Sequence, residues 1–456
     1  MSDIQLHPAS YKDKDSQILI INNEIYREIK KSYENNYKML MKSGLYEELT
    51  KKEYLIKHNE ITNSETNKKL IKPEEIFISY PFEWCFSQLK DAALLTLEIQ
   101  KTALKYNMSL KDANCFNVQF HNGKPIFIDT ASFEKYEEGT IWQAYKQFCM
   151  NFIAPLALMA YKDNCLVCLL KTYINGIDLN LASSLLPLKS IFNINIFLHI
   201  HEHAKIQKKY ENNNKKINIQ YSKLQMIILI DNLVKTIKSI KMKPKDSCWK
   251  DYYKKTNYND NSFQQKISII SEYKKNLQPH SMLDIGANNG FFSRLFKNVC
   301  NQIICIDTDY NAIEKNYYET KKSNENNIYP LVIDFTNPTP SLGWENEERF
   351  SFHKRIKNTD LVMALAIIHH LAISNNIPLY NIAKTFSKTG KYLIIEFIEK
   401  EDSQIQKLLK NRPDIFDDYT KENFEKTFSE FYEIKRKNPI GNTFRTLYLM
   451  QRIRNE

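Results

Sequence analysis

Acidic and glycine residues at one turn of the chain have the spacing of a ligand-binding loop. Asp284 stands in "SMLDIGANNGFF", and Gly286 and Gly290 follow it. Glycine admits positive φ and lets a ligand approach the backbone, while Asn288 tolerates left-handed geometry better than most residues. The stretch therefore predicts a strand, a glycine-rich turn and a helix.

Two further acids end the next two apolar runs. Asp307 closes the run in "QIICIDTD", and Asp334 closes the run in "YPLVIDFT". The carboxyl ends of the strands of a doubly wound sheet form the edge where ligands bind, so we expect the three acids Asp284, Asp307 and Asp334 to converge. A single aspartate at a strand end is commonly a turn or helix N-cap residue, but three in succession favour a cofactor site.

Other glycine-loop chemistries fit less well. A dinucleotide fingerprint would place glycine at positions 288 and 291, where this chain has Asn288 and Phe291. A phosphate-binding loop of the Walker type would continue with Gly-Lys-Ser or Gly-Lys-Thr, which does not follow here. NAD and FAD are therefore disfavoured as cofactors.

Two histidines and two acids follow the later strands of the same region. His369 and His370 stand in "ALAIIHHLA", and a histidine is a suitable base near neutral pH. Either histidine could instead pack in the core or face solvent. Glu396 and Asp402, in "IIEFIEKEDSQ", could bind a polar acceptor or be solvated loop acids.

The stretch around Gly286 resembles motif I of class I methyltransferases that use S-adenosyl-L-methionine. The resemblance implies that Asp284 faces the methionine end of this cofactor, that Asp307 binds the ribose hydroxyls, and that Asp334 contacts the adenine amine. Gly286, Asn288 and Gly290 would form the loop around it. For an oxygen nucleophile in such a transfer, His369 and His370 are the candidate catalytic bases, on the chemistry of the reaction.

Nearly the whole chain resembles the nodulation-protein type of this family. The resemblance is carried by "SYPFEWCFSQLKDAALLTLEIQ", "LKDANCFNVQFHNGKPIFIDTASFE", "LDIGANNGFFS", "MALAIIHHLAISNNIPL" and "IIEFIEKEDSQIQKLL". It implies methyl transfer and suggests, more loosely, an acceptor hydroxyl on a glycan, a glycolipid or a small molecule. The acceptor itself is not identified by these motifs.

A separate set of polar residues lies nearer the N-terminus. Asp112, Asn117 and Asp129 in "LKDANCFNVQFHNGKPIFIDT" resemble the catalytic loop and metal-binding aspartate of protein-kinase-like and aminoglycoside-phosphotransferase-like folds. No glycine-rich loop precedes them, and Arg27 or Lys30 would have to serve as the phosphate partner. An active phosphotransferase, an inactive scaffold and a chance set of turn residues stay open, and we favour the scaffold.

Two histidine and cysteine patterns are weaker signals for metal binding. His199, His201 and His203 lie in "FLHIHEHAK", but the intervening glutamate expected of a helical zinc motif is misplaced. Cys165 and Cys168 form a single CxxC without a second pair. We therefore predict no metal site.

The pattern of apolar runs predicts an α/β protein in three parts. Residues 1–138 read as an α+β kinase-like domain with strands that include "EEIFISY", and residues 139–245 as a mainly helical region. Residues 246–456 alternate strands and helices, which predicts a Rossmann-like doubly wound parallel sheet.

Composition places the chain among globular proteins of a reducing compartment. The sequence has 456 residues, a formal net charge of +11 and eight cysteines without framework spacing. Its N-terminal stretch is polar, and its longest apolar run is too short to span a membrane, so we expect a cytoplasmic protein without an integral membrane segment. The charge and the basic stretch "CWKDYYKKTNYND" keep an RNA methyltransferase or RNA-binding protein open as the alternative.

Overall fold

The computed structural model describes residues 4–63, 68–205, 221–242, 260–410 and 412–453. The chain divides into two compact units. Unit 1 comprises Met1–Pro244 and Ser341–Phe350, and unit 2 comprises Lys245–Pro340 and Ser351–Glu456. A boundary at residue 138 between an α+β part and a helical part stays a prediction.

Unit 1 combines small antiparallel sheets with helices. Its strands are β1 (Ile4–Leu6), β2 (Ser16–Ile21), β3 (Glu24–Ile29), β4 (His58–Asn63), β5 (Lys68–Pro73), β6 (Met108–Leu110), β7 (Val118–His121), β8 (Lys124–Phe127) and β9 (Phe133–Lys135). Its helices are α1 (Glu34–Lys42), α2 (Leu45–Lys51), α3 (Phe86–Lys105), α4 (Tyr145–Phe148), α5 (Ala154–Tyr161), α6 (Leu169–Thr172), α7 (Leu179–Leu185), α8 (Ile194–Ile196) and α9 (Lys223–Ser239). The main sheet has the order β1-β2-β3-β5-β4.

Turn chemistry determines two hairpins of unit 1. Asn22 and Asn23 connect β2 to β3 with φ of 52° and 65°. Asn122 and Gly123 connect β7 to β8 with φ of 51° and 71°. Both positions of each turn have positive φ, which asparagine and glycine adopt at least cost, and both hairpins agree with the sequence.

The strand predicted at "EEIFISY" is not formed. Residues 74–80 have no strand pairing in the described structure. The amide of Ser79 donates instead to the side-chain Oε1 of Gln119 at 2.8 Å, so a side chain takes the bond that a neighbouring strand would have made.

Unit 2 contains a single twisted sheet flanked by helices. Its strands are β10 (Ser281–Ile285), β11 (Gln302–Asp307), β12 (Ile328–Val332), β13 (Thr359–Ala364), β14 (Gly390–Ile398), β15 (Tyr432–Pro439) and β16 (Arg445–Arg452). Its helices are α10 (Asp260–Leu277), α11 (Tyr310–Lys322), α12 (Phe352–Arg355), α13 (Leu379–Thr389), α14 (Ser403–Leu409) and α15 (Lys421–Ser429).

The strand order of unit 2 is β12-β11-β10-β13-β14-β16-β15. The first five strands are parallel, with the order reversing beside β10 as in a Rossmann-type sheet, which the alternating apolar runs predict. The last two strands form an antiparallel hairpin on β14. The sequence analysis did not predict that hairpin.

The helix expected after the glycine-rich turn is only a short 3-10 helix, Ser293–Phe296. Eleven residues, 291–301, separate Gly290 from the start of β11. A 3-10 helix advances about 2.0 Å per residue against about 1.5 Å for an α-helix, so it carries the chain back along the sheet in fewer residues. Phe292 and Phe296 anchor this turn in the core beneath α10.

Candidate functional site

A cavity of about 270 Å³ opens at the carboxyl ends of the parallel strands of unit 2. Five of the six residues predicted to bind a cofactor line it, namely Asp284, Gly286, Asn288, Asp307 and Asp334. The parallel register of β10, β11 and β12 brings the ends of the three strands to one edge, and the three acids come together as the sequence suggests.

The glycine-rich turn needs its glycines for two different reasons. Gly286 has φ of +75°, and a Cβ there would lie 3.0 Å from Cδ1 of Ile367, which also lines the cavity. Gly290 has φ of +76° and does not line the cavity, because a Cβ there would lie 2.6 Å from the side chain of Asn316 in α11. Gly286 therefore keeps the ligand space open, while Gly290 allows the turn to pack.

Arg294 holds the glycine-rich turn from outside the cavity. Its guanidinium donates to the carbonyl of Asn289 at 2.7 Å and to the carbonyl of Asn316 at 3.1 Å. Its Nε lies 2.9 Å from Glu325 Oε2. The sequence analysis missed this residue, although an arginine about one turn after a glycine loop was a visible signal.

Asp284 is a buried carboxyl group at the end of β10. Its Oδ2 accepts a 2.5 Å hydrogen bond from Ser293 Oγ. Burial raises the pKa of Asp284 to about 7, with a further increase from Asp307 and an opposing effect from Lys266. A cationic ligand group beside this carboxylate would therefore be strongly favoured.

Both carboxylate oxygens of Asp307 accept hydrogen bonds from backbone amides. Oδ2 accepts from the amide of Asn288 at 2.8 Å, and Oδ1 accepts from the amide of Asp309 at 2.9 Å. Burial raises the pKa of Asp307 to about 6. Each oxygen has further lone pairs, so the group can also accept two hydroxyl donors from one ligand.

Asp334 lies in an exposed turn after β12. Its Oδ1 accepts from the amide of Thr336 at 2.8 Å and from the hydroxyl of the same residue at 2.7 Å. This local turn orients the carboxylate at the rim of the cavity, where Thr336 also contributes to the lining.

The two neighbouring histidines occupy different environments. His370 begins a π-helical turn, His370–Ser374, and lines the cavity. His369 is buried and does not line it, and its Nδ1 has no hydrogen-bond partner among the described residues. Burial lowers the pKa of both rings, that of His369 furthest, so both imidazoles are neutral at pH 7.

A buried network of charges adjoins the cavity on the side of α10. Lys266, which lines the cavity, lies 2.6 Å from Glu396 of β14. Arg445 of β16 lies 3.4 Å from Glu396 and 2.8 Å from Asp402. All four side chains are at most 5% exposed, so the view of Glu396 and Asp402 as solvated loop acids is wrong.

The sequence analysis also missed Lys266. This lysine is three residues after Phe263 and four residues before Ile270, both of which pack into the core of unit 2. A charged residue on the apolar stripe of an amphipathic helix was the signal that could have identified it.

In unit 1, Arg27 forms an ion pair with Asp129, with 2.7 Å between the charged atoms. Asp129 also accepts from Ser132 Oγ at 2.5 Å and from the amide of Ala131 at 3.1 Å. Lys30 turns elsewhere, since its Nζ donates to the carbonyl of Asp13 at 3.2 Å. Of the two phosphate partners suggested by the sequence, only Arg27 therefore meets this aspartate.

The other two residues of the kinase-like set lie close to Asp129. Asp112 accepts from the amide of Asn114 at 2.9 Å, and burial together with Asp129 raises the pKa of its carboxyl group. Asn117 Nδ2 lies 3.5 Å from Ser132 Oγ, the same hydroxyl that donates to Asp129. The favoured scaffold role of the three residues stays a prediction, and the phosphotransferase role stays its alternative.

The three spaced histidines have neutral polar partners. His199 bonds to Tyr145 Oη at 2.8 Å and to Asn232 Oδ1 at 2.7 Å. His201 bonds to Ser183 Oγ at 2.7 Å and to Ser190 Oγ at 2.9 Å. The ring of His203 stacks on Tyr145. These contacts make the histidines part of the packing of the helical region.

Cys165 and Cys168 are exposed at a 3-10 turn and form no disulfide with the described residues. The basic stretch that motivated the RNA alternative covers residues 248–260 and lies, except for its last residue, outside the described residues, so that alternative stays a prediction.

None of the helices in the described part of the chain combines the length and apolar character needed to cross a membrane.

Comparison with known proteins identifies one close relative. The chain is 32% identical over 383 residues to the nodulation protein NoeA of Rhizobium meliloti (strain 1021), and the match covers 82% of this chain and 80% of that protein. No family model matches the sequence.

Several solved structures are distantly similar. They include the N-methyltransferase NodS from Bradyrhizobium japonicum WM9 with S-adenosyl-L-homocysteine, which is 11% identical with a TM-score of 0.32 and covers 46% of this chain and 100% of that chain. The magnesium protoporphyrin IX methyltransferase of Synechocystis PCC 6803 is 15% identical with a TM-score of 0.32, covering 45% of this chain and 93% of that chain.

Proposed function

The chain belongs to the family of the nodulation protein NoeA, and from that premise we propose that it is a methyltransferase that uses S-adenosyl-L-methionine. The proposed acceptor is a hydroxyl group of a glycan, a glycolipid or a small molecule. The convergence of Asp284, Asp307 and Asp334 around one cavity at the strand ends carries this proposal.

The residues of the cavity match the different parts of this cofactor. Asp307 can accept the ribose hydroxyls, and Asp334 at the rim can accept the adenine amine. Asp284 and Lys266 both line the cavity, so a group that carries both an ammonium and a carboxylate can place the ammonium at Asp284 and the carboxylate at Lys266, which also contacts Glu396. The methionine end of the cofactor is such a group.

The cofactor supplies an electrophilic methyl group on a sulfonium. The protein's part is to orient the acceptor and to remove its proton. His370 faces the cavity and is neutral at pH 7, so its ring could accept the proton of an acceptor hydroxyl. His369 supports that ring from the buried side, with 4.2 Å between the ring centroids.

Titration calorimetry with S-adenosyl-L-homocysteine tests the cofactor site. We expect the wild type to bind and Asp307→Ala to bind about ten- to a hundredfold more weakly, because the ribose loses a charged acceptor worth about 1.5–3 kcal/mol. Asp414→Ala is the matched control, since Asp414 is an exposed carboxylate paired with Lys400 and does not line the cavity. Absence of binding by the wild type, or equal affinities of the two variants, would refute the proposal.

The kinase-like residues of unit 1 are proposed to serve as a scaffold. The carboxylate of Asp129 already forms an ion pair with Arg27 and accepts hydrogen bonds from Ser132 and Ala131. A magnesium ion would therefore have to compete with the guanidinium for this carboxylate. We expect ATP with magnesium to leave the melting temperature unchanged. A magnesium-dependent increase that disappears in Asp129→Asn would show instead that unit 1 binds nucleotide.

A further inference from the structure

Exposed apolar side chains are concentrated on one segment of unit 1, between α7 and the π-helical turn Phe197–Glu202. Leu188, Phe192 and Ile194 are 82%, 91% and 64% exposed. We name as the apolar surface the exposed residues Leu185, Leu188, Ile191, Phe192, Ile194 and Leu198. Large apolar side chains grouped in this way mark an interaction site more often than scattered ones do.

The backbone beneath the apolar surface is firmly packed. Ser190 is fully buried, and its hydroxyl donates to the carbonyl of Pro187 at 2.7 Å and bonds to His201 Nε2 at 2.9 Å. Leu186 and Ile196 are 7% and 0% exposed. Because these residues fix the segment, the exposed side chains between them are held outward by the fold.

One face of α9 continues the apolar surface. Leu224 and Ile228 are 67% and 58% exposed and are spaced four residues apart, on one side of the helix. Asn232, one turn further, bonds to His199 in the π-helical turn. The exposed side of α9 therefore lies beside the turn that carries Leu198.

The segment that carries the apolar surface has a net positive charge. No acidic residue occurs between Asp178 and Glu202, and Lys189 is exposed within this stretch. Lys162 follows Tyr161, whose hydroxyl accepts a 3.2 Å hydrogen bond from Asn193 of the segment. The flanking acids are engaged, because Asp178 caps α7 and Glu202 lies 3.7 Å from Lys205.

We propose that the apolar surface docks on an anionic lipid membrane, with Leu188 and Phe192 inserted at the level of the headgroups. Apolar side chains that project from a rigid turn and are flanked by lysines have the chemistry of an interfacial membrane anchor. A symmetric contact with a second copy is less suitable, since it would bring the positive charge of Lys189 from both copies into one interface. The inference does not depend on the methyl-transfer proposal.

Sedimentation with vesicles tests this surface in the full chain. We expect binding to vesicles of phosphatidylglycerol and phosphatidylcholine, and weaker binding to pure phosphatidylcholine or at high salt. Leu188→Ser/Phe192→Ser should reduce the partition coefficient about tenfold or more, because two apolar side chains no longer enter the lipid. Lys189→Glu should reduce binding to the anionic vesicles selectively.

The control replaces exposed apolar residues elsewhere. Tyr318→Ser/Ile415→Ser changes side chains that are 64% and 67% exposed in unit 2 and should bind vesicles like the wild type. Circular dichroism melting establishes that each variant is folded. Lack of vesicle binding by the wild type would overturn the proposal, and so would a dimer in light scattering that Leu188→Ser/Phe192→Ser converts to a monomer, which would assign the surface to a protein contact.

Discussion

Lys266 Nζ lies 2.6 Å from Glu396 Oε2, and the two side chains are 3% and 0% exposed. They are separated by 130 residues in the sequence and meet where α10 crosses the sheet. Burial lowers the pKa of Lys266, while the carboxylate of Glu396 opposes that change. Each partner therefore stabilises the charged form of the other at the cavity wall, where a single buried charge would be unfavourable.

Removal of the two partners should have unequal effects. Glu396→Gln leaves both Lys266 and Arg445 without their shared carboxylate, and we expect the free energy of unfolding to fall by about 3–5 kcal/mol. Lys266→Met should cost less, since Glu396 retains Arg445. Urea denaturation of the two variants measures this difference. Equal losses of unfolding free energy would contradict a Glu396 carboxylate shared by Lys266 and Arg445.

Asp284→Asn should change how stability depends on pH. The pKa of Asp284 is raised from 3.8 to about 7 in the fold, so the folded protein retains a proton that the unfolded chain releases as the pH rises from about 4 to 7. The raised pKa therefore lowers the free energy of unfolding of the wild type over this range, by up to about 4 kcal/mol. The variant has no carboxyl group here to lose a proton.

Thermal melts from pH 5 to pH 8 measure this effect without ligand. The melting temperature of the wild type should fall relative to that of Asp284→Asn as the pH rises. Asp414→Asn is the control, because its exposed carboxylate has a pKa held low by Lys400. If the melting temperatures of the wild type and Asp284→Asn change in parallel with pH, the pKa of Asp284 is not raised in the fold.

The two glycines of the turn should respond differently to alanine. Gly290→Ala places a Cβ against Asn316 and Arg294 at positive φ, so it should mainly reduce stability, by about 1–3 kcal/mol. Gly286→Ala places its methyl group against Ile367 at the cavity wall and should also weaken binding of S-adenosyl-L-homocysteine. Melting and calorimetry on both variants separate the effects. If Gly286→Ala and Gly290→Ala lose the same affinity for S-adenosyl-L-homocysteine, the two glycines do not have the different roles assigned to them.

His370→Gln should impair methyl transfer while leaving affinity for S-adenosyl-L-homocysteine near that of the wild type, since a glutamine cannot take the acceptor proton. His369→Gln should instead lower the melting temperature, because His369 is 3% exposed within the core. Single-turnover rates on an identified acceptor and calorimetry separate the two. An unchanged rate for His370→Gln at every pH would exclude it as the base.

Local preferences explain which elements the sequence predicted. The turns at Asn22–Asn23 and Asn122–Gly123 need positive φ at residues that tolerate it, so each hairpin is specified within a few positions. The parallel strands of unit 2 are continuous apolar runs, as expected of strands covered on both faces. An aspartate at the end of such a run reaches the binding edge through strand geometry alone.

Contacts between distant parts of the chain decided the rest. Residues 74–80 have the composition of a strand, but the Gln119 side chain takes the amide of Ser79, and no local preference reveals that competition. The positions of Lys266, Glu396 and Arg445 as one charged group depend on three elements packing together. The sequence by itself determined the parallel strands of unit 2, the glycine-rich turn and the order of the three aspartates, because backbone preferences and side-chain periodicity act locally. Only the tertiary structure decided which charges are buried and paired, because the cost of burying a charge depends on partners brought from far along the chain.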